Sequence, residues 1–260
     1  MKCDIITLFP DMVLPVLGQS ILKRAQEKGL LEVNVHNLRD YTKDRHRIVD
    51  DTPYGGGAGM VIKAEPVLQA VDALRGAASE PALRILIPSP QGRPFTQRMA
   101  EEFQRDPHRI VFICGHYEGF DERVRLGLNA EEVSIGDYVV TNGELPALVM
   151  LDAAVRLIPG VLGDPDSAQQ DSFVEALLDC PHYTRPPEVR GMTVPDVLLS
   201  GNHEAIRQWR RKEALRSTYV KRPELLQDRL LSHEDRRLLD EVLQETTKSP
   251  SVLCVEEECP

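Results

Sequence analysis

Short apolar runs alternate with longer amphipathic stretches through the first 160 residues. Residues 3–8, 31–38, 83–87, 109–114 and 131–135 are dense in β-branched and apolar side chains, which predicts five strands. Residues 14–28, 64–74, 96–103 and 145–157 space their apolar positions as one face of a helix. Strand and helix in alternation predict an α/β architecture with a mostly parallel sheet. Arg109-Ile110-Val111-Phe112-Ile113-Cys114 is almost wholly apolar, as a strand covered on both faces must be, so it is placed centrally.

After residue 160 the pattern changes. Residues 160–170, with Gly163-Asp164-Pro165-Asp166-Ser167, carry no apolar periodicity and read as an interdomain linker. Residues 194–199, 203–219, 223–230 and 233–244 read as helices of a small second domain, with Ser232 and Asp235 as a helix start. Asp171-Ser172-Phe173 also reads locally as a helix opening, with Asp171 its N-cap. The predicted organisation is a domain at 1–160, a linker at 161–172, an all-α domain at 173–245, and a polar acidic tail at 246–260 expected to be disordered.

Composition narrows the class. The 260 residues are 42% hydrophobic and 28% charged, and no apolar run approaches the roughly 18 residues of a membrane span. The chain opens on a strand pattern with no charged-then-apolar leader, so a cytoplasmic enzyme is expected. Its five cysteines are scattered without a C-x-x-C pair or a metal-like grouping with histidine, and read as reduced thiols. The net charge of −10 argues against nucleic acid only as a total. Residues 181–229 hold 10 basic against 6 acidic side chains, and screening confines charge effects to about 8–10 Å. That region is a candidate RNA face.

Three glycine-punctuated segments follow predicted strands: Pro88-Ser89-Pro90-Gln91-Gly92, residues 115–123, and residues 134–146. In an open α/β sheet, ligands bind at the carboxyl ends of strands, where glycine lets the main chain come close. These segments are poor in paired cations, which suits a ligand held by main chain, such as an adenosine, rather than a polyphosphate. Gly55-Gly56-Gly57-Ala58-Gly59 lies in a long charged loop, 39–60, and fits neither a dinucleotide fingerprint nor a P-loop.

Taken together, Tyr54-Gly55-Gly56-Gly57-Ala58-Gly59-Met60, Ser89-Pro90-Gln91-Gly92, Tyr117-Glu118-Gly119, Asp121-Glu122-Arg123, Ser134-Ile135-Gly136-Asp137-Tyr138, Gly143-Glu144-Leu145-Pro146, Asp171-Ser172-Phe173 and Pro181-His182-Tyr183-Thr184-Arg185-Pro186 resemble the bacterial tRNA (guanine-N1-)methyltransferases, within the SPOUT superfamily of trefoil-knotted methyltransferases. The resemblance covers about residues 1–245 and implies a sheet whose C-terminal part is threaded into a deep knot. It implies S-adenosylmethionine as methyl donor, lined by Pro88, Ser89, Pro90, Gly115, Tyr117, Glu118, Ile135, Gly136, Asp137, Tyr138, Val139, Val140, Gly143 and Pro146. It also implies a homodimer whose active site is shared between subunits, an accompanying Mg²⁺ although no metal motif is present, and a tRNA anticodon stem-loop as partner. Three positions depart from the family pattern: Asn142 replaces a usual glycine, His116 a common arginine, and Ile87 an aromatic.

Methylating guanine N1 requires removal of its proton, a task for a placed carboxylate, and stabilisation of charge gathering on O6. The resemblance implies Asp171 as that base and Arg156 as the O6 partner. Residues 203–222 hold seven basic and two acidic residues, so Arg207, Arg210, Arg211, Lys212 and Arg216 are expected to contact tRNA phosphates, with His46 helping to shape the guanine site. Asp179 reads instead as ordering the Cys180-Pro181-His182 turn. Alternatives are a SPOUT methyltransferase with another RNA target, or an inactive RNA-binding relative. The former lacks support from the Asp-Ser-Phe and Pro-His-Tyr-Thr-Arg-Pro segments, and the latter from the retained Asp171, Arg156 and three loops.

Overall fold

The computed structural model describes residues 1–76, 82–163, 171–227 and 231–248. The chain forms two compact units, residues 1–165 and 166–260. The first is built on a five-stranded sheet in the order β2-β1-β6-β5-β7, with every pairing parallel. Its strands are β1 (Lys2–Thr7), β2 (Glu32–Asn37), β5 (Leu83–Pro94), β6 (Arg109–Ile113) and β7 (Glu131–Ser134). All five residues of β6 are buried at the sheet's centre, as its apolar run predicts.

Strand alternation splits the core into two clusters. Cys3, Ile5, Leu86, Ile110 and Phe112 pack with α1 (Pro10–Leu17), α2 (Ser20–Glu27), α4 (Gln97–Arg105) and α6 (Glu144–Val155). Their neighbours Ile6, Ile85, Ile87, Val111 and Ile113 pack with α3 (Ala64–Arg75) and α5 (Glu122–Leu128). Helices on both faces bury both sides of the central strand β6 and most of β1, while the edge strand β2 is only partly covered. The expected helix at 14–28 is two helices. The first ends at Gly18, and Ser20 takes a left-handed φ of 48° that redirects the chain.

α5 was not expected. It starts at Asp121, whose Oδ1 accepts the Arg123 N–H at 2.9 Å, and ends at Asn129 in the left-handed region (φ 51°). Its buried Val124 and Leu128, four residues apart, are the sequence signal for it. The loop 39–60 is anchored where β3 (Asp50–Asp51) pairs antiparallel with β4 (Val61–Ile62).

Val161, placed in the expected linker, is 1% exposed and belongs to the first unit's core. Residues 164–170 of that linker lie outside the described residues, as do residues 249–260 of the expected tail.

The second unit is not purely helical: β8 (Glu188–Val189) and β9 (Met192–Thr193) form a small antiparallel ladder turned by Arg190 (φ 54°) and Gly191 (φ 79°). Its helices are α7 (Asp196–Leu199), α8 (His203–Lys221), α9 (Glu224–Gln227) and α10 (His233–Lys248), so residues 246–248 are helical. α8 and α10 meet through Leu215 and Leu238, with Leu177 beside them. Ser232 caps α10 by accepting the Asp235 N–H at 3.0 Å. Asp171 opens no helix; residues 171–177 are turns and bends with Phe173 (φ 74°) and Ala176 (φ 54°) left-handed. Thr218, fully buried, donates to Ala214 O at 2.7 Å and accepts the Leu178 N–H at 2.9 Å, tying this segment to α8.

Candidate active site

The three glycine-punctuated loops meet at one end of the sheet. β5 pairs with β7 through Pro88, slips, and resumes at Arg93, both opposite Val133, so Ser89 to Gly92 leave the ladder. Gly92 is required there because a Cβ would lie 2.3 Å from Val133 N. After β6, Gly115 starts the second loop. After β7, the third loop folds on itself, with Ser134 Oγ donating to Gly136 O at 3.0 Å and the Tyr138 N–H donating to the same carbonyl at 2.9 Å. It then returns to β6, where the Gly143 N–H donates to Gly115 O at 2.8 Å and Asn142 bridges His116.

These loops enclose a cavity of about 380 Å³, within the size range of small-molecule sites. Of the expected lining, Pro88, Ser89, Pro90, Gly115, Tyr117, Glu118, Ile135, Gly136, Tyr138, Val139, Val140, Gly143 and Pro146 face it. Asp137 is exposed and is not among the lining residues. The lining also includes Gln91, His116, Thr141 and Asn142, and the carboxylates Asp121, Glu122 and Glu132. All three departures from the family pattern, Ile87, His116 and Asn142, are lining residues. Asn142 has no left-handed φ, so its place needs no glycine-like conformational freedom. Its Oδ1 and His116 Nδ1 are buried without a hydrogen-bond partner among the described residues, which leaves one acceptor and one imidazole nitrogen for a ligand.

The electrostatics are set by carboxylates. Hydrogen bonds from Arg123 hold the Asp121 carboxyl down at about 2. Arg125, the arginine in the lining, is engaged by Glu122 and lies 3.8 Å from Glu132. A cationic ligand suits this wall and a polyphosphate does not. At the inner end of the third loop Glu144, 1% exposed, accepts a hydrogen bond from Thr7, which itself accepts the Phe9 N–H at 2.8 Å. Sequence reading missed this buried carboxylate because an acidic residue in the first turn of a helix ordinarily faces water.

The Gly55–Gly59 loop is tied to the same site. Met60 O accepts the Glu118 N–H at 3.0 Å, Gly119 O accepts the Ile62 N–H at 2.9 Å, and Gly59 adopts φ 83°. A Cβ on Gly59 would lie 2.6 Å from the Glu118 side chain. Its glycines give close approach to Glu118, a contact that spacing along the chain does not reveal.

The remaining expected residues lie elsewhere. His46 is exposed on loop 39–60, its N–H donating to Asp44 Oδ1 at 2.9 Å, and does not line the cavity. Arg156 follows α6 in the first unit, its N–H donating to Asp152 O at 3.1 Å; Asp171 belongs to the second unit. Asp179 orders its turn: Oδ1 accepts the Cys180 N–H at 2.7 Å and Oδ2 lies 2.8 Å from His182 Nε2. Partial burial pushes its carboxyl up, but the hydrogen bonds from His182 and Cys180 prevail and hold it below the usual range. Cys180 thus does sit with a histidine, and ligand atoms of Asp179, Cys180 and His182 lie within 4.8 Å of one another; both Asp179 oxygens are already engaged within the turn.

On α8, four of the expected phosphate contacts are neutralised inside their own unit. Arg207 pairs with Glu204 and Glu234, Arg211 with Glu175 and Asp235, Lys212 with Glu241 and Glu245, and Arg216 with Glu213 and Glu245. Arg210 has no carboxylate partner among the described residues. Cys3, Cys114 and Cys180 are free thiols, and no helix among the described residues is long and apolar enough to cross a membrane.

Comparison with known proteins adds the family. A family model described as "tRNA (Guanine-1)-methyltransferase TrmD" matches residues 1–228. A tRNA (guanine-N(1)-)-methyltransferase of Dictyoglomus turgidum is 54% identical over 245 residues, covering 94% of this chain and 98% of the relative. Proteins of the same name from Moorella thermoacetica and Bacillus cereus are 55% and 54% identical, covering 93% and 94% of this chain and 96% and 100% of their own lengths.

Proposed function

The chain belongs to the tRNA (guanine-1)-methyltransferase family, and from that premise we propose that it methylates N1 of the guanine immediately 3′ of the tRNA anticodon, with S-adenosylmethionine as donor. The observation that carries the donor assignment is the convergence of three strand-end loops on one cavity walled by main chain and carboxylates. A sulfonium with an α-ammonium group is attracted by Glu118 and Glu132, while adenosine takes contacts from the main chain of the loops that the Gly115–Gly143 bond holds together. The unpartnered Asn142 Oδ1 and His116 Nδ1 fit a ligand carrying both donors and acceptors. When bound, the donor supplies an electrophilic methyl group.

The chain's own residues supply the rest. Asp171 is assigned as the base that takes the N1 proton, a contribution of about 10²- to 10⁴-fold, and Arg156 as the cation that stabilises O6 as charge moves there. The first unit is assigned to the donor and the second to the anticodon stem-loop. The family's knot has support in the chain path: β7 lies beyond β5, yet its following loop returns past β5 to bond Gly115 at the end of β6. Homodimerisation has support in exposed apolar side chains on the two packed helices α1 and α6: Met12, Leu14, Val16, Leu145 and Val149. In such a dimer Asp171 acts on a guanine held at the partner's donor site. Mg²⁺ has support only in the cavity carboxylates, oxygen ligands of the class it prefers, and no step is assigned to it.

The test is methylation of a tRNA transcript with guanine 3′ of the anticodon beside one with that base replaced, using wild type and Asp171→Ala. Product is expected only with wild type on the first transcript, with donor binding by calorimetry equal in both proteins. Product on the replaced transcript removes the target assignment, and equal rates remove Asp171 as base.

A further inference from the structure

The second unit carries a larger cavity of its own, about 860 Å³, where the segment 181–187 crosses α7 and α8. Leu198 and Ile206 give it an apolar wall, and Tyr183 and Trp209 present their rings to it with centroids 6.2 Å apart and planes tilted by 56°. Tyr183 is 49% exposed, so an aromatic face is spent on solvent. Two arginines, Arg185 and Arg210, complete the lining.

Those arginines differ from their neighbours. Arg207, Arg211, Lys212 and Arg216 on the same helix are each held by one or two carboxylates. Neither Arg185 nor Arg210 has a carboxylate partner among the described residues. Four cations of α8 are thus cancelled within the unit, while Arg185 and Arg210 stand beside an aromatic pair with no such partner among the described residues. An unstacked nucleotide is the occupant that needs this set: a π-face for the rings, an apolar wall for the base edge, and an anion for the guanidinium groups. An apolar protein segment would satisfy the wall and leave both charges unanswered.

We propose that this cavity holds one unstacked nucleotide of the tRNA, other than the methylated guanine, with its base against Tyr183 and Trp209 and its phosphate on Arg185 and Arg210. The inference rests on the tRNA reading above and goes beyond it by naming the subsite.

Trp209 is the chain's single tryptophan, so its fluorescence reports this cavity alone. Full-length protein is titrated with the tRNA transcript while binding is followed independently by anisotropy of labelled tRNA. Trp209 emission is expected to quench with the same midpoint as the anisotropy, and equally with a transcript whose target guanine is replaced. Tyr183→Leu and Trp209→Leu are expected to weaken tRNA binding about 5- to 150-fold, the range for losing one base–aromatic stack, while leaving donor affinity and thermal stability near wild type. Trp209→Phe retains most affinity. Arg210→Gln lowers the slope of log affinity against log salt by about 0.7–0.9.

Anisotropy that saturates without a change in Trp209 emission overturns the subsite and leaves the methyltransferase reading standing. Quenching lost with the replaced guanine shows the target itself in the cavity and also overturns it. Emission that changes with protein concentration in the absence of tRNA identifies a second copy as occupant, with the same consequence. Absence of both tRNA binding and methylation by wild type overturns the functional reading, and the subsite with it.

Discussion

The amide of Gly143 donates to the carbonyl of Gly115 at 2.8 Å, and a Cβ on Gly143 would sit 2.8 Å from Gly115 N and 2.9 Å from Cys114 Cα. Two loops from non-adjacent strands, β6 and β7, are therefore joined backbone to backbone, and the obstructing atoms are main chain that cannot swing aside. Gly143→Ala is expected to force the loops apart at a cost of about 1–3 kcal/mol, the usual range for overpacking. Because Gly115 and Gly143 line the cavity proposed for the donor, calorimetry should show donor affinity weakened about 5- to 150-fold. Wild-type affinity in a normally folded variant would show that the loop crossing does not shape the site.

This contact also marks how far the chain could be read directly. The strands and their parallel character were legible chiefly because β6 and the first half of β5 are apolar on both faces, a pattern few other structures tolerate. The cavity was legible because glycine has a stereochemical reason at Gly92, Gly115 and Gly143, which face backbone or ring atoms within 3 Å of a Cβ. Glu144, the link from Gly59 to Glu118, and the pairing of His116 with Asn142 were not legible, since each joins segments whose approach only the folded topology creates. The ion pairs along the basic helix were not legible either. Arg207, Arg211, Lys212 and Arg216 are a run of charge in one dimension, and only the fold brings carboxylates to them from α10 and from Glu175 ahead of α8.

Asp4 is completely buried and pairs with Arg109, whose Nη2 donates at 3.0 Å, while His36 Nε2 donates to Oδ1 at 2.7 Å. Burial pushes the carboxyl up, but these partners prevail and hold it below its ordinary value. Arg109→Met removes the main counter-charge and leaves a buried carboxylate, with an expected loss of about 3–5 kcal/mol by urea unfolding. Asp4 and Arg109 pair β1 with β6, so the whole first unit should lose stability. A loss under about 1 kcal/mol would mean that water reaches the pair.

Asp121 gives the acid limb a specific origin. Its carboxyl caps α5 and is held at about 2 by Arg123, against an ordinary aspartate value near 3.9. A depressed folded-state value stabilises the fold above the unfolded value, and the contribution fades as pH falls from about 4 towards 2. Asp121→Ala should therefore cost about 0.5–2 kcal/mol at neutral pH, the range for losing an N-cap, and progressively less than that below pH 4. Thermal melts of both proteins from pH 7 to pH 2.5 measure it. A difference that stays constant over that range would show that the cap acts through shape and not through charge.

Arg211 separates structural cations from RNA-binding ones. It donates to Asp235 at 2.6 and 2.9 Å and to Glu175 at 2.7 Å, and the Asp235 side chain is only 4% exposed. Arg211 joins α8 to α10 and to the segment before Leu177, the three pieces that share the second unit's core. Arg211→Gln leaves Asp235 buried without its main counter-charge, so a loss approaching the 3–5 kcal/mol of a broken buried pair is expected in the unfolding of this unit. A free phosphate contact would behave differently, since its removal lowers the salt slope of tRNA binding by about 0.7–0.9 and leaves stability alone. Measured together, a large stability loss with an unchanged salt slope assigns Arg211 to the fold. A reduced slope with unchanged stability assigns it to tRNA and shows that the ion pair opens when RNA arrives.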